Sequence, residues 1–139
     1  MKPESPWGFA NKARPTPKAE KPKEPSEHQE QAAFVEWFKH QFSGVRILSI
    51  PNGASLAGDS LKRAMQMGRL RAEGLSPGAP DLLIPAWNLW VEMKRKSGGV
   101  VSDDQHDWHE YLRRAGQTVI VARGFEDAAR QVRAFRNPA

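Results

Sequence analysis

Gly78-Ala-Pro80-Asp81-Leu-Leu-Ile84 and, after a break at Pro85, Leu89-Trp-Val-Glu92-Met-Lys94-Arg95 decide the fold. Asp81 to Ile84 reads as a short strand closed by Pro85, and Leu89 to Arg95 as a second strand broken by Ser97-Gly98-Gly99. Trp87-Asn88 is the expected hairpin turn between them. The strand period of two puts Glu92 and Lys94 on one face. Pairing as a hairpin sets Asp81 across from the Glu92 region. The neighbours Leu82, Leu83, Ile84, Leu89, Trp90 and Val91 are apolar. Three charges within two apolar strands need a reason, because an unpaired buried charge is costly. Carboxylates without a Cys or His partner suit a hard divalent cation such as Mg²⁺ or Mn²⁺. Such an ion lowers the pKa of a bound water and stabilises charge that builds on a phosphate. The plainer alternative is a surface Glu–Lys pair with an unrelated Asp at a turn. An E-x-K triplet arises often by chance, and the preceding Pro-Asp gives it weight.

Outward from the hairpin, Ser26 is an N-cap with Gln29 three residues on, which closes a capping box. Ala33, Phe34, Trp37, Phe38 and Phe42 follow at helical spacing, and Gly44 ends that helix. Val45 to Ile50 reads as a strand stopped by Pro51-Asn52-Gly53. Residues 54–59 read as a mobile loop. Ser60 to Glu73 reads as a helix with Leu61, Ala64, Met65, Gly68 and Leu70 as a partial apolar face. Ser102, with Gln105 at the third position, caps another helix whose expected inner face is Trp108, Tyr111, Leu112 and Ala115. Thr118 to Ala122 is a continuous apolar strand, and Phe125 to Phe135 a last helix. The order α-β-α-β-β-α-β-α implies an α/β fold, a mixed central sheet flanked by helices.

The 139 residues suffice for one ordinary domain. With no cysteine, a disulfide scaffold, a thiolate zinc site and a cysteine nucleophile are excluded together. No apolar run approaches the ~18–20 residues of a membrane helix, and the N-terminus lacks the apolar stretch of a secretory signal. A cytoplasmic location is the expectation. The formal net charge is +5, and residues 1–25 supply +3 of it. The same segment holds six of the eleven prolines, which excludes a helix or central strand there. It is expected to be a disordered Pro/Lys-rich arm, with the folded domain spanning 26–139. Two readings of the arm stand side by side, a basic arm that gathers polyanions and a solubilising leader.

Gly78-x-Pro80-Asp81 followed by Glu92-Met-Lys94 resembles motifs two and three of the PD-(D/E)xK nuclease superfamily, whose fold is restriction-endonuclease-like. The details resemble its VRR-NUC family. They include Glu27 with Gln31 on the first helix, Asn52-Gly53 after the first strand, and Gly74-x-x-x-Gly78-x-Pro80-Asp81. Ser102-x-x-Gln105 and Leu112-x-x-x-Gly116-x-x-Val119 follow at matching places, so the likeness runs from about Glu27 to Phe135. It implies metal-dependent hydrolysis of nucleic-acid phosphodiesters. Asp81, Glu92 and the Met93 backbone carbonyl would hold Mg²⁺, with Mn²⁺ as a substitute. Lys94 would activate or position water. Glu27 would complete the acidic site directly or through water, and Gln105 would support it or contact a phosphate. Glu30, three residues from Glu27, competes for the role of helix-borne acid, and a structural acid at a helix N-terminus remains the alternative for Glu27. Compact standalone members of the family resemble Holliday-junction resolvases that act as homodimers on branched DNA. The alternative from another class is a catalytically idle nucleic-acid-binding module, which has no use for the intact Asp81, Glu92 and Lys94.

Further candidates are weaker. Lys62, Arg63, Arg69 and Arg71 on the 60–73 helix, with Asn52 before it, could contact phosphates, or the helix face could simply be solvated. Arg123, Arg130, Arg133 and Arg136 are expected in solvent. His106 and His109 sit three apart on a helix, as zinc ligands can, but no third ligand is evident and exposed surface is expected for both. Trp37, Trp90 and Trp108 are expected in the core, and Trp7 and Trp87 outside it.

Overall fold

The computed structural model describes residues 15–18, 23–52 and 56–138. Residues 1–14 and 19–22 of the arm, with Trp7, lie outside the described residues, as do Gly53 and the start of the 54–59 loop. The elements are α1 (Glu27–Gln41), β1 (Leu48–Ser49), α2 (Ser60–Ala72), β2 (Leu82–Ile84), β3 (Leu89–Lys94), α3 (Asp103–Arg114), β4 (Thr118–Arg123) and α4 (Phe125–Arg136). This is the order the sequence implies. The sheet runs β1-β2-β3-β4, antiparallel except for the parallel β3–β4 pair. A short 3-10 turn at Pro85–Trp87 joins β2 to β3, and Asn88 takes the left-handed conformation (φ 48°) that closes it.

Alternation along β3 divides the molecule. Leu89, Val91 and Met93 point to one face and enter a core with Phe34 and Phe38 of α1 and Ala128 and Val132 of α4. Full burial of each Phe contributes about 1.5–3 kcal/mol. Trp90, Glu92 and Lys94 point to the other face, which α3 covers. Both predicted capping boxes form, at Ser26–Gln29 and Ser102–Gln105.

Four expectations need correction. The first strand is two residues long rather than six, because β2, its partner, offers three residues to pair with. The apolar stripe of α2 is not buried: Leu61 is 71% and Met65 67% exposed. Of the expected inner face of α3, Leu112 is buried and Trp108 half-buried, but Tyr111 and Ala115 are exposed and His109 is buried instead. Trp87, expected to be free, packs edge-on against Phe38 and Phe42, with ring centroids 5.4 and 4.9 Å away. The Arg136 guanidinium, exposed as expected, lies 4.4 Å over the Trp87 ring.

Gly78 shows why the approach to Asp81 is glycine-rich. Its φ is +89°, and a Cβ there would stand 2.5 Å from the Asp104 carbonyl carbon. The start of α3 thus lies directly on the turn that delivers Asp81. Gly78→Ala is expected to destabilise the protein by at least about 1 kcal/mol, since both the backbone conformation and the space are lost. Urea denaturation measures this, and an unchanged midpoint would contradict it.

Candidate active site

The hairpin register pairs Leu82 with Val91 and Leu83 with Trp90, so Asp81 falls opposite Glu92. One Asp81 carboxylate oxygen accepts a 2.7 Å hydrogen bond from the Met93 backbone N–H, while the Asp81 carbonyl accepts from Ile50 N–H at 2.8 Å. Asp81 is therefore held from both neighbouring strands. Glu92 is 1% exposed and Lys94 7%. Glu92 Oε1 accepts from Gln105 Nε2 at 2.7 Å and lies 3.7 Å from Lys94 Nζ. Lys94 Nζ donates to Gln105 Oε1 at 2.9 Å. The same Oε1 accepts from Ser102 N–H at 2.9 Å. The capping box of α3 thereby fixes which way the Gln105 amide points, and the fixed amide joins Lys94 to Glu92.

Burial pushes the Glu92 carboxyl up to about 8, helped by the Asp81 and Glu27 charges and opposed by Lys94. Burial also raises Asp81, against the Met93 N–H that favours its ionised form. The Met93 N–H favours ionised Asp81, and the Asp81 charge in turn raises Glu92. A buried acid that retains its proton near neutral pH beside a second carboxyl is under-compensated in positive charge.

Glu27 and Glu30 separate clearly. Glu30 is buried and accepts from the Phe125 N–H at the start of α4, which makes it a clamp between α1 and α4. Glu27 is exposed on the first turn of α1, and its charge raises both Asp81 and Glu92. Gln31 lies apart, in a groove between α1 and β1. Among the described residues, no three of His, Asp and Glu converge tightly enough to hold a metal by side chains alone. Asp81 and Glu92 lie opposite each other across the β2–β3 register. Oxygen donors of this kind fit a small hard cation, and Glu92 Oε2 is buried with no hydrogen-bond partner.

None of the hydrogen bonds and ion pairs that join Asp81, Glu92, Lys94 and Gln105 involves a residue of α2. Lys62, Arg63, Arg69 and Arg71 are exposed, and the Asp59 side chain caps the helix through Lys62 N–H at 2.9 Å. The end of the arm is tethered, since the Glu24 carboxylate accepts from Ser97 N–H at 2.8 Å and Ser97 Oγ–H at 2.5 Å. Ser97 lies just beyond the Lys94 strand.

Sequence reasoning missed His109. It is 2% exposed rather than on the surface, and its Nε2 lies 3.8 Å from Glu92 Oε2. Burial lowers its pKa, with the charges of Arg113, His106 and Lys94 acting in the same direction. A signal was available, because His109 follows Gln105 by one helical turn and shares its face. His106 is exposed, and its ring meets that of His109 edge-on with centroids 6.4 Å apart.

The Glu92 shift has a consequence for stability. Above pH 7 the unfolded chain has released a proton that folded Glu92 retains, so stability falls as pH rises through about 8. Neutral His109 acts in the opposite sense, but below its ordinary value near 6.5. Between about pH 7 and 8.5 the metal-free protein is expected to lose about 1 kcal/mol. Urea denaturation at a series of pH values should show this slope and its loss in Glu92→Gln. An equal slope in both proteins would assign it elsewhere.

No protein-family model matches the chain, nor does any curated protein sequence. A solved structure described as "VRR_NUC domain protein" is similar to it at 21% sequence identity and a TM-score of 0.65, covering 81% of this chain and 89% of that one. The chain thus has the mixed α/β fold of a VRR_NUC domain protein, the architecture that its Pro-Asp and E-x-K strands resemble.

Proposed function

We propose that the protein is a divalent-metal-dependent endonuclease that hydrolyses phosphodiester bonds in DNA. The observation that carries this reading is the pair of half-buried Asp81 and buried Glu92 on neighbouring strands, with Lys94 and Gln105 bonded into the same cluster. The likeness in fold supports it, because the family that the sequence resembles performs this chemistry.

Asp81, Glu92 and the Met93 carbonyl would hold Mg²⁺ or Mn²⁺, with Glu27 reaching it through water. When bound, the ion supplies a more acidic water and charge stabilisation at the phosphate. Lys94 Nζ, held by Gln105, orients the attacking water or takes up its proton. Gln105 keeps Lys94 and Glu92 in register through one amide. The finer form of the proposal is a homodimer acting on a four-way junction, whose two symmetric cut sites match a two-fold assembly. No helix among the described residues is long and apolar enough to cross a membrane.

The test is a cleavage panel of single-stranded, duplex, flap and four-way-junction DNA with Mg²⁺, with Mn²⁺ and with a chelator. Metal-dependent nicking of at least one substrate is expected. DNA binding without cleavage in either metal would favour the idle binding module instead.

The outer face of α2 is the proposed phosphate contact, since Ser60 to Ala72 contains four basic residues and no acidic one. Replacing Lys62, Arg63, Arg69 and Arg71 together by Gln should weaken DNA binding. It should also flatten the dependence of log K on log salt by up to about 0.9 for each phosphate that is no longer neutralised. An unchanged slope would place the phosphate-binding surface on the basic arm.

A further inference from the structure

Two buried polar atoms in this molecule lack a hydrogen-bond partner, Glu92 Oε2 and His109 Nε2, among the atoms described. They face each other across 3.8 Å. Leaving a buried polar atom unpaired is costly. Two such atoms aimed at each other mark a contact that closes with a small side-chain rotation.

We propose that His109 is a positioning residue for Glu92, its Nε2–H donating to Glu92 Oε2. Gln105 Nε2 already holds Oε1, and Gln105 and His109 stand one turn apart on α3. The carboxylate is then gripped from one side by two donors of one helix. Each oxygen keeps a second lone pair free on the side toward Asp81. The grip fixes the plane of the carboxylate and leaves the cation's side open. Hydrogen-bond partners behind a metal ligand set its orientation, and their loss costs about 10–100-fold in metal affinity. The inference rests on the proposed metal site for its consequence, but the hydrogen bond itself does not require metal.

Three variants, His109→Gln, His109→Leu and His109→Leu in a Glu92→Gln background, separate the possibilities. Gln retains an N–H near the position of Nε2, and Leu removes it at similar size. Mn²⁺ affinity of the protein without DNA is measured by calorimetry. His109→Leu should weaken it about 10–100-fold, and His109→Gln should restore most of that affinity. Against Glu92→Gln, the Leu change should add little to the weakening. Equal affinity in wild type and His109→Leu would overturn the proposal. So would an equal weakening in both backgrounds, which a general packing defect would give. Wild-type protein that binds no Mn²⁺ would overturn the metal site instead. The imidazole nitrogen spectrum of metal-free protein then decides the hydrogen bond. The Nε2-protonated tautomer, with its resonance moved by Glu92→Gln, is expected, and a bare Nε2 would overturn it.

Discussion

Lys94→Met is expected to lower the rate of DNA cleavage by about 10²–10⁴-fold, the range for losing a positioned proton-transfer group, while the fold and most DNA binding persist. Binding persists because one ammonium is a small part of an interface spread over many phosphates. The fold persists for a reason specific to this site. Removing one partner of a buried ion pair commonly strands the other charge, at about 3–5 kcal/mol. Here Glu92 already holds its proton up to about pH 8. Without Lys94, whose charge lowers it, the carboxyl moves higher and stays neutral near pH 7. Met keeps the length of the stem and its packing. Single-turnover cleavage, gel-shift binding and thermal denaturation form the test. Near-normal turnover would remove Lys94 from the chemistry.

Asp81→Asn should be inactive for a different reason. The Asn carbonyl oxygen can still accept from Met93 N–H, so the junction of β2 and β3 holds. What disappears is a negative charge beside Glu92. The expected drop is on the order of 10²–10³-fold in rate, the scale of removing one preorganised electrostatic interaction, together with weaker Mn²⁺ binding. A second readout distinguishes this from misfolding. The Asp81 charge is, after burial, the leading cause of the raised Glu92 carboxyl. The variant should therefore lose part of its stability slope between about pH 7 and 8.5. Full activity at saturating Mn²⁺ would confine Asp81 to holding the ion. Full activity without added metal would contradict its role altogether.

The hairpin and its charges were legible because a strand has one exact constraint, alternation, and the motif uses it directly. Asp81, Glu92 and Lys94 fall on one face by counting, and Pro85 and Asn88 fix where the chain turns. Both helix caps were legible because the Ser-x-x-Gln pattern is local. Failures came where a side chain's fate depends on a distant partner. The α3 face was misassigned because Trp108 and Tyr111 outweigh His109 in hydrophobicity, whereas the sheet beneath presents Glu92 to whatever lies above it. The stripe on α2 is real as a pattern, yet among the described residues no element buries it. Glu27 and Glu30 share a helix end in the sequence. The backbone of α4, 95 residues away from Glu30, separates their surroundings.

The proposed chemistry stands or falls on whether Asp81, Glu92 and the Met93 carbonyl form one cation site on the hairpin. A crystal soaked in Mn²⁺, with data recorded at the manganese edge, decides it. An anomalous peak in contact with both carboxylates and the Met93 carbonyl oxygen, absent from an Asp81→Asn crystal, is the predicted result. No anomalous peak between the two carboxylates at saturating Mn²⁺ above pH 8 would contradict it.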